Sequence, residues 1–235
     1  MNIKELDSYH IEDAINFHED LNPQLWINDT MRKEVRSTLK EISDDFLIFL
    51  GIKNIAVIDI RVSGSNAAYS YTPYSDIDLH IIIDFDQISN DSVYKELFDA
   101  KKYQYNDVHD IEIRGYDVEL YVQDSKQHHE SLGEYSIVQN DWVRIPSKRR
   151  ANLNDTATHA KYHKLRDLIL LAISNDDLSS IEQTTDIIRK YRNAGLTREG
   201  EFSPENLVFK ILRRKGYIEK LWNKRQELED KKLSL

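Results

Sequence analysis

The chain lacks cysteine, and it is poor in glycine and proline, the two residues that most often interrupt regular structure. Without cysteine there can be no disulfide framework, no cysteine-ligated zinc and no thiol nucleophile. With 7 glycines and 4 prolines among 235 residues, linkers, collagen-like repeats and low-complexity disorder are disfavoured. No window approaches the roughly 18 apolar residues of a membrane span. These absences favour a folded globular protein that makes no use of a membrane.

A secretion signal is also missing from the beginning of the sequence. The segment MNIKELDSYHIEDAINF carries acids where a signal peptide needs a basic start followed by an apolar run. We therefore expect a cytoplasmic protein.

Charge is distributed unevenly along the chain. The net charge of -9 by itself argues against a dedicated nucleic-acid binder. Residues 1–143 hold 12 Lys and Arg against 28 Asp and Glu, whereas residues 144–225 hold 18 against 10. A basic region joined to an acidic one suggests an anionic ligand such as RNA. The alternative is that the basic residues lie on solvated helix faces and bind nothing.

Hydrophobic periodicity predicts the regular elements. The predicted helices and strands are helices 31–50, 91–102, 155–173, 177–193 and 204–230 with a break near Gly216, strands 54–63 and 75–84, a hairpin of 110–114 and 116–122 around Gly115, and a short strand within 134–146. Asp29 or Thr30 is the expected cap of the first helix and Gly51 its end, and Ser203 with Pro204 begins the last. Strands and helices mix over residues 1–146, and helices alone fill 147–235, so we predict an α+β fold with these two domains.

Two short segments on successive strands carry the chemistry. Gly64 and Ser65 follow the first strand, and Asp76 and Asp78 begin the second. Carboxylates two residues apart on a strand point the same way, about 7 Å apart, and their repulsion is costly unless a cation lies between them. Such oxygen ligands suit Mg²⁺ or Mn²⁺. The Gly-Ser corner can hold phosphate oxygens through backbone N–H groups and a hydroxyl.

A third carboxylate would complete the metal cage. Glu119 lies mid-strand between Val118 and Leu120, and a strand adjacent to 75–84 would bring it beside Asp78. Asp117 is the competing candidate, one step earlier on the same face.

This pattern resembles the DNA polymerase β superfamily of nucleotidyltransferases over about residues 35–125. The resemblance implies a short mixed β-sheet packed on helices, with a helical C-terminal region after it. It also implies that Gly64 and Ser65 bind the triphosphate of a nucleotide, and that Asp76, Asp78 and Glu119 hold two divalent metals. The segments LNPQLW, YSDIDLHIIIDF and YDVELYVQD further resemble predicted nucleotidyltransferases of large-genome bacteriophages, which implies a bacterial or phage-infected cell.

One departure from the superfamily limits this inference. Many minimal members carry Arg and Gly within a GSxxxG motif, whereas NAAYSYTPY follows Gly64-Ser65 here.

The expected reaction is transfer of a nucleoside monophosphate from an NTP to a hydroxyl acceptor. RNA, such as a tRNA end bound by residues 144–225, is the favoured acceptor. The alternatives are a protein or small-molecule hydroxyl, or a non-catalytic nucleotide- or partner-binding module.

His159 and His163 have the spacing of a metal pair on a predicted helix. The intervening Ala-Lys-Tyr lacks the glutamate of the H-E-x-x-H metalloprotease motif, and Lys161 adds an unfavourable charge. From sequence we therefore expect a solvated helix face at this position rather than a zinc site.

Overall fold

The computed structural model describes residues 9–51, 56–87, 92–127, 131–148 and 153–234. The predicted α+β class is confirmed: a mixed six-stranded sheet and a separate two-stranded sheet are combined with helices. The chain divides into two compact units, Asn16–Arg149 and a second unit that joins Met1–Ile15 to Arg150–Leu235. The domain limits 1–146 and 147–235 stay a prediction. No described helix combines the length and apolar character needed to cross a membrane.

The first unit is built around the six-stranded sheet. The eight strands of the two sheets, in chain order, are β1 (Trp26–Ile27), β2 (Thr30–Met31), β3 (Val57–Ser63), β4 (Ile77–Ile83), β5 (Glu112–Ile113), β6 (Tyr116–Asp124), β7 (Glu134–Ser136) and β8 (Asp141–Arg144). β1 and β2 form the small sheet, and the large sheet has the order β5-β6-β4-β3-β7-β8. β4 and β6 run parallel, whereas the other neighbours in the large sheet are antiparallel.

A hydrophobic core lies between the sheet and the helices α1 (Lys33–Leu50) and α2 (Ser92–Val108). Apolar residues at every second position of β4 face it, and Ile77, Leu79 and Ile81 are completely buried. α1 contributes a stripe that includes Leu39 and Phe46, also completely buried, at the spacing expected of one helix face. The opposite face of β4 is consequently the one that carries Asp78.

The ends of α1 test the predicted caps. Gly51 ends the helix as predicted, with a left-handed φ of 67° and its N–H bonded to the Ile48 carbonyl. The prediction of Asp29 or Thr30 as N-cap was wrong, because α1 begins at Lys33 after Arg32. Asp29, with a φ of 61°, instead lies in the turn between β1 and β2.

β3 and α2 follow the prediction with shifted ends, whereas β1 and β2 were not predicted and the one short strand expected within 134–146 is two strands, β7 and β8. β3 begins at Val57, while residues 54 and 55 of the predicted strand lie outside the described part of the chain. α2 runs from Ser92 to Val108, six residues beyond the predicted end, and residue 91 lies outside the described part.

The second unit is helical. It contains α3 (Asp155–Asn175), α4 (Leu178–Glu199), α5 (Pro204–Arg214) and α6 (Tyr217–Leu233), together with a short 3-10 turn at Ile11–Asp13. Gly216, with a φ of 73°, separates α5 from α6 at the predicted break. The Ser203 hydroxyl accepts the N–H of Asn206 at 3.3 Å, with Pro204 at the first helical position, so the predicted start of α5 is confirmed.

Candidate active site

The parallel pair of β4 and β6 brings two of the predicted acids together. Asp78 lies directly opposite Glu119 in the register, and both side chains are half-buried. Asp76 precedes β4 by one residue and is also half-buried. Asp117 is exposed and pairs with Glu112 in the β5–β6 hairpin. Glu119 is therefore the acid beside Asp78, while its role as third metal ligand stays a prediction.

Gly64 lies against the carboxylate of Asp78. Ser63 pairs with Asp78 across β3 and β4, and the chain then turns at Gly64 with φ 76° and ψ −163°, a conformation that only glycine adopts readily. A Cβ at this position would overlap Oδ2 of Asp78 and lie 2.9 Å from its Cγ. The sequence predicts that glycine lets the backbone approach a phosphate. In the structure the group that approaches it is an acid of the site itself.

Ser65 and Gly64 have protein partners at the positions where phosphate contacts are predicted. The Ser65 hydroxyl donates to Oγ of Ser75 at 2.7 Å, and the same Oγ accepts the N–H of Thr72 at 2.9 Å. The N–H of Gly64 donates to Oγ of Ser131 at 3.3 Å. A phosphate bound here would have to replace these hydrogen bonds, so the nucleotide-binding role of Gly64 and Ser65 stays a prediction.

Asn66 is a residue of this site that sequence reasoning missed. Its side chain is fully buried, and its Nδ2 donates to the backbone carbonyls of Ser75 and Asp76 at 3.3 and 3.1 Å. Its Oδ1 accepts from Nδ2 of Asn22 at 2.8 Å. Asn66 thus fixes the backbone of Asp76 relative to the Gly-Ser turn. No local pattern marks it, because its partners are distant in sequence.

Tyr121 is a second residue that the sequence did not single out. Its hydroxyl donates to Oε2 of Glu119 at 2.5 Å. Its ring stacks on His80, with centroids 4.9 Å apart and planes at 15°, and Nε2 of His80 lies 3.0 Å from Oγ of Ser63. A row of side chains on β6, β4 and β3 therefore holds Glu119 in one orientation.

The electrostatics of Tyr121 reflect the charge collected around it. Burial raises the pKa of its hydroxyl well above the usual range, and the negative charges of Asp78, Glu119 and Asp76 raise the pKa further. The hydroxyl consequently stays protonated and able to donate. The carboxylates of Asp78 on β4, Glu119 on β6 and Asp76 just before β4 thus all act on the Tyr121 hydroxyl.

The donor chemistry fits a hard divalent cation, because carboxylate oxygens are the ligands that Mg²⁺ and Mn²⁺ prefer. The side chains are not arranged as a closed cage, since no three His, Asp or Glu side chains of the described residues are placed to hold a metal ion. The side chains of Asp76, Asp78 and Glu119 are therefore of the type that binds the predicted metal, and the sheet brings Asp78 beside Glu119. The three are not placed as a complete set of ligands.

A buried ion-pair network lies on the strands next to these acids. Arg61 of β3 donates from Nε to Oδ2 of Asp59 at 2.8 Å and from Nη1 to Oε2 of Glu134 at 3.3 Å. Asp59 also accepts from the Ser136 hydroxyl at 2.7 Å. Both acids are buried, with 2% and 6% of their surface exposed. Arg144 of β8 also contacts Glu134, at 3.7 Å, so two guanidinium groups compensate the two buried acids and the network joins β3, β7 and β8.

The predicted RNA-binding region holds part of its positive charge in internal ion pairs. Lys161 and Arg198 both bind the buried Glu205, at 2.6 and 2.8 Å. Arg214 and Lys215 both contact Asp13. These pairs reduce the charge that residues 144–225 can offer to a polyanion.

No family model and no curated protein matches the chain. Among solved structures, it is similar to the STING-associated CdnE c-di-GMP synthase from Capnocytophaga granulosa, at 15% identity over 86% of this chain and 84% of that one, with a TM-score of 0.23. This TM-score is too low to show a shared fold or a shared function.

Proposed function

We propose that the chain is a metal-dependent nucleotidyltransferase, which moves a nucleoside monophosphate from an NTP to a hydroxyl acceptor. The observation that carries this proposal is the pairing of Asp78 with Glu119 across parallel strands, with the Gly64 turn against the same carboxylate. Two carboxylates held side by side on a sheet repel each other, which lowers the free energy of unfolding. Arrangements of this kind are concentrated at functional sites.

Each residue has a distinct part in the proposed reaction. Asp76, Asp78 and Glu119 would hold Mg²⁺ or Mn²⁺, which when bound stabilises charge on the attacking and leaving oxygens. The acceptor oxygen attacks the α-phosphorus, the bond from that phosphorus to the bridging oxygen breaks, and pyrophosphate leaves. Glu119 would accept the proton of the acceptor hydroxyl. Gly64 and Ser65 would contact the β- and γ-phosphates.

RNA stays the proposed acceptor, bound through the basic part of residues 144–225. A protein or small-molecule hydroxyl is the alternative, and the ion pairs around Glu205 and Asp13 favour it by reducing the free positive charge. A non-catalytic binding module is the remaining possibility.

The proposal is tested by incubating the protein with each of the four α-³²P-labelled NTPs, Mg²⁺ or Mn²⁺, and total RNA, total protein or no added acceptor. Label on RNA supports the favoured acceptor, and label on protein or on a small product supports the alternative. If no NTP transfers its labelled α-phosphate with either metal under any condition, the proposed activity is wrong.

A matched pair of variants tests the third acid within the same assay. Glu119→Gln and Asp117→Asn each remove one charge from β6, two residues apart on one face. We expect Glu119→Gln to abolish transfer while nucleotide still binds, and Asp117→Asn to retain transfer. The reverse result would assign the third ligand to Asp117.

A further inference from the structure

The exposed face of α3 carries two histidines in direct contact. His159 and His163 lie one helical turn apart, and their Nε2 atoms are 3.1 Å from each other. The two rings meet edge to face, with centroids 4.5 Å apart and planes at 71°. The same two nitrogens are the ones through which imidazoles most often bind metals.

This separation matches the bite of a transition metal. Metal–imidazole bonds of about 2.05 Å, as for zinc, combined with a nitrogen separation of 3.1 Å give an angle of about 98° at the metal. That value lies between the roughly 90° of square or octahedral coordination and the roughly 109° of tetrahedral coordination. Binding one ion would replace the hydrogen bond between the two nitrogens, release its proton and turn the rings until both nitrogens point at the metal.

Tyr9 helps to hold this geometry. Its ring packs edge-on against His159 with centroids 4.9 Å apart, and its hydroxyl donates to Oδ1 of Asp155 at 2.7 Å. Asp155 begins α3, one turn before His159. Because Tyr9 connects the start of the helix to the first imidazole, the ring of His159 is oriented before any ligand arrives.

Lys161 does not oppose a cation at this face, although the sequence alone suggests that it would. Its Nζ donates to Oε1 of Glu205 at 2.6 Å and to the hydroxyl of Tyr191 at 2.9 Å. The pairing with Glu205 compensates the ammonium charge inside the helical unit. This pairing removes the charge argument against a metal site, and the glutamate missing from the H-E-x-x-H pattern acts there as a general base and not as a ligand.

We propose that His159 and His163 form a two-imidazole site for a borderline transition-metal ion such as Zn²⁺, Ni²⁺ or Cu²⁺. Within the described part of the chain no third histidine or acid joins them as a metal cluster, so water completes the coordination. The site differs in ligand type from the carboxylates of the sheet, and imidazole discriminates against Mg²⁺ and Mn²⁺. It is independent of the proposed nucleotidyl transfer.

Calorimetric titration of the full chain with Ni²⁺ tests this site. We expect His159→Gln and His163→Gln each to weaken one Ni²⁺-binding event by about tenfold or more, because one of two ligands is lost. The matched control is His109→Gln, an exposed histidine of the first unit, which should leave that event unchanged. Circular dichroism checks that α3 stays helical in each variant.

Two outcomes overturn the proposal. One is a double variant, with glutamine at both positions, that binds Ni²⁺ with the stoichiometry and affinity of the parent. The other is an equal loss in the His109→Gln control. Asp78→Asn separates this site from the proposed active site, since it should leave Ni²⁺ binding by the histidines intact whether or not the chain transfers nucleotides.

Discussion

Each unit contains a charged cluster around a glutamate, and the partners of the two glutamates differ in charge. In the helical unit Glu205 is 3% exposed and is bound by both Lys161 and Arg198. In the sheet unit Glu119 accepts from a neutral tyrosine hydroxyl and lies beside a second carboxylate, Asp78. The first arrangement compensates charge and stabilises the fold, whereas the second concentrates charge of one sign at a cost to the fold. The difference distinguishes a structural acid from a candidate catalytic one.

Asp78→Asn should have the largest effect, and on function alone. We expect transfer to fall by about a thousandfold or more, equivalent to about 4 kcal/mol. The metal-free protein should be as stable as the parent or slightly more stable, because a repulsive charge is removed. The labelled-NTP assay measures transfer, and thermal unfolding with and without Mn²⁺ plus nucleotide measures stability and ligand binding, since a bound ligand raises the melting temperature. If the variant gains melting temperature like the parent, Asp78 is not a ligand.

Glu205→Gln should have the opposite profile, with a loss of stability and little change in transfer. Removing the acid leaves Lys161 and Arg198 without the buried charge that they bind, at a cost of about 3 kcal/mol in unfolding free energy. The control is Glu199→Gln, which also removes an acid bound to Arg198 but at an exposed position, and should change stability by less than about 0.5 kcal/mol. Urea titration measures both, and equal effects would contradict the comparison.

The stability difference between the parent and Glu205→Gln should depend on pH. Burial alone would raise the pKa of Glu205, but hydrogen bonds from Lys161, its own backbone and Arg198 outweigh burial and hold the pKa below the usual range. Its ionised form therefore contributes stability at pH values above the ordinary glutamate pKa, and this contribution is lost as the pH falls through the lowered value. The difference between the parent and Glu205→Gln should accordingly shrink in acid.

Part of this contrast is predictable from sequence. Alternation predicts β4 as a strand with Asp78 on one face and Ile77, Leu79 and Ile81 on the other. The flanking Val118 and Leu120 favour Glu119 over Asp117. The parallel register that joins Asp78 to Glu119 is a long-range pairing with no local signal. For the same reason the contact of Asn66 with Asn22, 44 residues away, is invisible in the sequence. The prediction of Asp29 or Thr30 as the helix cap was wrong because turn and cap positions favour the same residue types.

Tyr121→Phe sharpens the comparison at smaller amplitude. The variant removes the hydroxyl that donates to Glu119 at 2.5 Å and keeps the ring that stacks on His80. A hydrogen bond to a charged acceptor contributes about 1.5 kcal/mol or more. A double-mutant cycle of Tyr121→Phe with Glu119→Gln, followed by urea unfolding, should return a coupling energy of about 1 kcal/mol. A coupling indistinguishable from zero would mean that the hydroxyl does not hold Glu119.

The smallest effect concerns the basic residues that end α5. Replacing Arg213 and Arg214 by glutamine should weaken RNA binding. It should also reduce the slope of log affinity against log salt concentration by about 1. The loss of two phosphate contacts would reduce it by about 2, but Arg214 already contacts Asp13. Nucleotide affinity should be unchanged, since the acids of the sheet are untouched. Fluorescence anisotropy over a range of salt concentrations measures both. Parent binding that is weak and independent of salt would rule out RNA as acceptor.

The close approach of Gly64 to Asp78 also makes the site visible to spectroscopy. The two hydrogens on its α-carbon are chemically inequivalent, because the one that an L side chain would replace faces the carboxylate oxygen. Their resonances should therefore be well separated, and the separation should change whenever a cation draws charge from Asp78. With 7 glycines in the chain, a spectrum of protein grown on labelled glycine is sparse enough to assign. This methylene is thus a native probe of the carboxylate that needs neither a substrate nor an attached label.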